Sequence, residues 1–136
     1  MVKLTEFMTT NLKFVDAHSS VYEAIEQMVD YRIRSLAVCI SKEKAEYGVI
    51  TARDIVVKVM SKGIDPAEAK VGDIATTPML CTDENATMHE AAQIMVDNSV
   101  ARIFVCGNGG PVGVVSFIDL MSAALIARAR GDHATR

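Results

Sequence analysis

Tryptophan is absent from the 136 residues, and only four phenylalanines and three tyrosines occur. Stacking platforms for single-stranded nucleic acid are therefore scarce. Net charge is −3, so no basic field favours nucleic acid or an anionic membrane. No apolar run approaches the ~18 residues that a membrane span needs. The opening Met1-Val2-Lys3-Leu4-Thr5-Glu6 is polar within six residues, unlike a secretory leader. Cys39, Cys81 and Cys106 are an odd number without Cys-x-x-Cys spacing. That predicts reduced thiols in a cytoplasm, not a disulfide framework. His18, His89 and His133 lack ligand spacing, so no metal site is expected. No nucleophile elbow, phosphate loop or paired carboxylates appear. Gly107-Asn108-Gly109-Gly110 lacks the Gly-Lys-Ser/Thr of a phosphate loop. The chain is not expected to be an enzyme.

What is present is a repeat. Shifted by 67 residues, Leu4–Ile40 falls on Val71–Gly107, and ten of those 37 positions are identical. After a loop two residues shorter in the second copy, Gly48-Val49-Ile50-Thr51-Ala52-Arg53-Asp54 meets Gly113-Val114-Val115-Ser116-Phe117-Ile118-Asp119. One structural unit has been used twice.

Each copy reads by pattern as β-α-β-β-α. A short extended stretch, Lys13–Asp16 or Leu80–Asp83, comes first. Ser20-Val21-Tyr22-Glu23 and Thr87-Met88-His89-Glu90 are capping boxes that open a helix. Ala24, Ile25, Met28 and Val29 then form an apolar stripe, as do Ala91, Ala92, Met95 and Val96. Buried strands follow at Leu36–Ile40 and Tyr47–Ile50, and at Ile103–Cys106 and Val112–Val115. Second helices start at Ala52 and Phe117. Cys39 and Cys106 occupy equivalent strand positions and read as small buried hydrophobes. The expected domain organisation is a repeat over 1–60, a linker over 61–70, a repeat over 71–129 and a tail over 130–136. One copy has too little core to stand alone, whereas two packed sheet to sheet would suffice.

A doubled β-α-β-β-α unit of this size resembles the CBS domain pair, or Bateman module. Thr5-Glu6-Phe7-Met8-Thr9-Thr10 looks like that family's lead-in. Ile33-Arg34-Ser35-Leu36-Ala37-Val38 is similar to its I-R-x-L-P-V segment, with Ala37 in place of proline, and Gly48–Ile55 is close to its G-h-h-T-x-R-D-h ending. The resemblance implies a mixed α/β (α+β) fold with the repeats packed by pseudo-twofold symmetry into one module. It also implies an adenosine ligand, AMP, ADP, ATP or S-adenosylmethionine, in clefts between the repeats, with no prosthetic group. By the same resemblance, Asp54 and Asp119 hold ribose hydroxyls, and Thr51 and Ser116 lie near phosphate. Arg34 and Arg102 face the phosphates, and Arg53 lies within the same motif word. Adenine rests near Val15–Asp16 and Thr82–Asp83, flanked by Ile33 and Val100. Ala101 replaces Arg34 in copy two, and Ile118 replaces Arg53. The first site is therefore expected to be the better phosphate site. Further expectations are a homodimer through helix residues Ile55, Val56, Val59, Leu120, Met121, Leu125 and Ile126, and a separate effector protein read in trans.

The Thr51-x-x-Asp54 and Ser116-x-x-Asp119 spacings have their own chemistry. The hydroxyl caps a helix, and the helix dipole keeps the carboxylate in the first turn ionised. An ionised carboxylate accepts from two neighbouring hydroxyls, as in a ribose diol. For a single copy a cap alone is the better explanation, whereas the same spacing in two copies, after the same Gly-h-h word, points to a ligand. The alternative to a ligand sensor is a structural dimerisation scaffold with empty clefts.

Overall fold

The computed structural model describes residues 2–131, which fall into two compact units: 13–80, and 2–12 together with 81–131. The first unit contains β1 (Phe14–Asp16), α1 (Val21–Tyr31), β2 (Ser35–Ser41), β3 (Glu46–Thr51), α2 (Ala52–Lys58), a 3-10 turn at Met60–Lys62 and the short α3 (Val71–Ile74). The second contains a 3-10 turn at Leu4–Glu6, then β4 (Cys81–Asp83), α4 (Met88–Asp97), β5 (Arg102–Gly107), β6 (Gly110–Ser116) and α5 (Phe117–Ala129). Each sheet has three strands. The first is ordered β1-β2-β3 and the second β4-β5-β6, with a parallel pair followed by an antiparallel hairpin. The fold is the expected mixed α/β class.

Capping sets where the helices begin. Thr87 and Glu90 close a full box, with both bonds at 3.1 Å. Ser20 accepts from the Glu23 N–H at 3.3 Å, but no return bond from the Glu23 carboxylate forms among the described residues. The buried stripes are narrower than the sequence pattern predicts. Val21, Ala24 and Met28 are buried on α1, and Met88, Ala91 and Met95 on α4. Val29 and Val96 are each 70% exposed. They sit about 100° round the helix from the buried methionines, beyond the reach of a three-stranded sheet. Conversely, Ile55 and Val59 belong to the first core and not to an outer surface.

The leading segments pair in a way that the repeat pattern hides. Thr76 exchanges backbone bonds with Val49 in the first unit, at 2.8 and 2.9 Å, and Thr9 exchanges two with Val114 in the second, at 2.9 Å. Each sheet is thus completed by the segment that leads into the other copy. Gly48 and Gly113 permit this approach. A Cβ on Gly48 would lie 2.8 Å from the Thr76 carbonyl oxygen, and one on Gly113 would lie 2.5 Å from Met8 Sδ. Arg130 at the end of the α5 region bonds Glu6 at 2.9 Å, tying the opening turn down. The Lys3 backbone N–H, and after it Arg130, hold the Glu6 carboxyl below its usual range.

The cysteines overturn the expectation of three reduced thiols. Cys81 and Cys106 form a disulfide with a Cα–Cα separation of 5.9 Å, within the usual range for such a bridge. They lie on the neighbouring parallel strands β4 and β5, an adjacency that their separation of 25 residues conceals. In the first copy Phe14 takes the place of Cys81, and Cys39 is a free thiol that is only half-buried.

Candidate functional site

In both units the hairpin's second strand runs straight into a helix, and the junction is a capping box. Thr51 is extended, with φ −113° and ψ 161°. Its Oγ1 accepts from the Asp54 N–H at 3.0 Å, and Asp54 Oδ2 accepts from the Thr51 N–H at 3.0 Å. Ser116 Oγ likewise accepts from the Asp119 N–H at 3.2 Å, and Asp119 Oδ2 accepts from the Ser116 N–H at 2.8 Å. Each carboxylate is therefore oriented by one oxygen. The Asp54 side chain is 16% exposed, and Asp119 is likewise half-buried.

The second oxygens differ. Lys58 Nζ lies 3.3 Å from Asp54 Oδ1 and donates at 2.9 Å to the Ile74 carbonyl. One turn after Asp119 stands Ala123, fully buried, and Asp119 forms no ion pair among the described residues. Lys58 was not singled out from the sequence, although Asp-x-x-x-Lys on a helix is a readable i,i+4 pair.

The arginines lie at the same ends of the sheets but are not equivalent. The Arg34 carbonyl accepts from the Ala52 N–H at 2.8 Å, and the Ala101 carbonyl accepts from the Phe117 N–H at 3.0 Å. Ser35 pairs with Thr51 across the hairpin, and Arg102 pairs with Ser116. Opposed residues in an antiparallel pair project from the same face, so Arg102 stands beside the Ser116 hydroxyl. Arg34, Arg53 and Arg102 are exposed. Ile33 and Val100 are half-buried against their respective cores, and their N–H groups each bond a helix carbonyl at 3.0 Å, of Met28 and Met95.

The first strands of the two copies are placed differently from these residues. Asp16 pairs with Cys39, and Asp83 with Cys106. Those partners lie four residues along the central strands from Ser35 and Arg102, about 13 Å at the rise of a strand. Asp16 and Asp83 each accept a turn N–H at 2.8 Å, from His18 and Asn85. Val15 and Thr82 are buried in register with Val38 and Val105, which belong to the two cores. Among the described residues the Thr82 hydroxyl has no hydrogen-bond partner. The structure thus brings Thr51, Asp54 and the Arg34 backbone together, as it does Ser116, Asp119 and Arg102. Within its own unit, neither Asp16 nor Asp83 lies beside that group.

Among the described residues no cluster of His, Cys, Asp or Glu is arranged to hold a metal ion, and no helix is long and apolar enough to cross a membrane.

Known proteins share this fold. Hypoxic response protein 1 of Mycobacterium tuberculosis is 29% identical over 134 residues, spanning 98% of this chain and 89% of its own. The crystal structure of Hypoxic Response Protein I with two coordinated zinc ions superposes with a TM-score of 0.79 at 27% identity, covering 90% of this chain and 99% of that one. A hexameric CBS-CP12 protein from bloom-forming cyanobacteria also gives a TM-score of 0.79, at 26% identity, over 88% of this chain and 66% of that one. The structure of CBSX2 in complex with AMP gives 0.76 at 24% identity, over 94% and 99%. The CBS domain profile matches twice, at residues 4–61 and 71–126. The chain belongs to the CBS domain family as a tandem pair, a module of the regulatory, ligand-binding type.

Proposed function

We propose that this CBS pair senses an adenosine-containing ligand, AMP, ADP, ATP or S-adenosylmethionine, and signals to a separate protein. The observation that carries the reading is the doubled carboxylate. Asp54 and Asp119 are each fixed through Oδ2 by the backbone N–H of their own cap. Each keeps lone pairs for a vicinal diol, because an ionised carboxylate offers about four acceptor sites. Exposed Arg34 and Arg53 in one unit, and Arg102 in the other, supply cations for phosphate. Ile33 and Val100 offer apolar edges to adenine. The binding of AMP by CBSX2, a protein of the same fold, supports the ligand class. We leave Asp16 and Asp83 out of the site, since both already cap turns about 13 Å away along the strand.

A thermal melt with and without each ligand tests the reading. A ligand at 100 times its dissociation constant adds about 2.7 kcal/mol to stability. No shift with any of the four at millimolar concentration leaves the dimerisation scaffold as the reading. That alternative draws on the outer face of α5, where Ile118, Met121 and Leu125 are exposed, and on the hexameric assembly of CBS-CP12. A cytoplasmic location was expected from reduced thiols, and the Cys81–Cys106 bridge removes that support for one pair. Thiol labelling of the protein in fresh cell extract assigns the redox state directly.

A further inference from the structure

We infer that Lys58 makes the two sites unequal, turning the first toward phosphate-bearing ligands and leaving the second suited to uncharged or cationic adenosine ligands. The inference rests on the ligand reading above. Two diol-binding carboxylates of the same geometry differ in compensating charge. Asp54 has a cation 3.3 Å from its outer oxygen, held in place by a second bond to the Ile74 carbonyl. The pair is electrically neutral, and Arg34 and Arg53 then stand in excess. Asp119 forms no ion pair among the described residues. Its helix places the fully buried Ala123 at the corresponding turn, so no cation stands there. A phosphate bound beside Asp119 meets a like charge, with Arg102 on the paired strand as the cation to offset it. A sulfonium, as in S-adenosylmethionine, meets an attractive one.

The Lys58 side chain is 43% exposed, so its field is partly screened and the effect is moderate. Calorimetry with AMP and adenosine, on the native chain and on Lys58→Gln and Lys58→Arg, tests the inference. Lys58→Gln removes the charge and keeps a donor for Ile74. It should cut the preference for AMP over adenosine about three- to tenfold, with adenosine affinity changed less than about twofold. Lys58→Arg should preserve the preference. Raising the salt should shrink the preference in the native chain and have little further effect in Lys58→Gln. Equal losses for both ligands in Lys58→Gln show that Lys58 only supports the fold, and an unchanged preference shows that it has no part in selection. Either result overturns the inference and leaves the ligand reading standing. Failure of the native chain to bind either ligand overturns the inference, and the ligand reading is then decided by the melts with ADP, ATP and S-adenosylmethionine.

Discussion

At the scale of single residues, one geometry has two meanings, because a cap and a ribose ligand both need an oriented carboxylate. A mutant cycle separates them. Asp→Asn retains an acceptor for the cap N–H but loses the charge and replaces one oxygen with a donor. If Asp54 and Asp119 hold ribose, each Asn variant loses roughly 1.5–3 kcal/mol of binding, with little change in fold. A 2′-deoxy ligand then binds the native protein more weakly but shows a smaller penalty on the Asn variants, since the contact is already gone. A deoxy penalty undiminished in both variants, read by calorimetry, makes the carboxylates caps only. These two aspartates were legible in the sequence because the cap spacing is local. The strand partners of Asp16 and Asp83 were not, because they depend on register. Thr82 offers a second test at this scale. Its hydroxyl is buried without a partner among the described residues, and Val15 fills the equivalent place in the other copy. Thr82→Val should raise stability by about 1 kcal/mol in urea unfolding. A loss would show that the hydroxyl is satisfied in solution.

Among the elements, the strand and helix order of each copy followed from hydrophobic period and capping signals, which are short-range. The partner of each leading segment did not, because nothing local tells Thr76 that its bridge is with Val49 or Thr9 that its bridge is with Val114. A trace does exist in the sequence, in the glycine that opens each Gly-h-h word. Its structural reason is close approach, and the two copies differ in what approaches. At Gly48 the obstacle to a Cβ includes the backbone carbonyl of Thr76, whereas at Gly113 it is the Met8 side chain. Backbone cannot yield without losing the bridge, while methionine changes rotamer readily. Gly48→Ala should therefore cost about 1–3 kcal/mol and Gly113→Ala clearly less. Urea midpoints for the two variants check the order, and a larger loss at Gly113 would refute the explanation. The disulfide was missed for a related reason: Cys81 and Cys106 meet only through the β4–β5 pairing, and the odd cysteine count pointed the other way.

For the whole molecule, the question is what covers the outer helix faces. On α5, Ala123 and Ala127 are buried, while Ile118, Met121 and Leu125 lie exposed along the opposite side, Leu125 at 72%. A helix that is apolar all round is ordinarily buried all round. Its own core accounts for only the alanine face. Val56 on α2 is exposed as well, but Ile55 and Val59, expected at the same surface, are core residues. The exposed apolar surface open to a second copy is thus mainly that of α5. An exposed apolar stripe of this kind marks an interaction site, and a second copy of the same chain provides a matching stripe under twofold symmetry. Sedimentation velocity at tens of micromolar should show a dimer or larger assembly. Leu125→Lys should shift the protein to monomer while leaving its melting temperature at low concentration nearly unchanged, because the side chain contributes little to its own core. The variant separates the two readings of the module as well. If ligand binding survives in monomeric Leu125→Lys, association is an output surface and not a condition of the site. A native chain that sediments only as monomer would mean that α5 does not drive self-association.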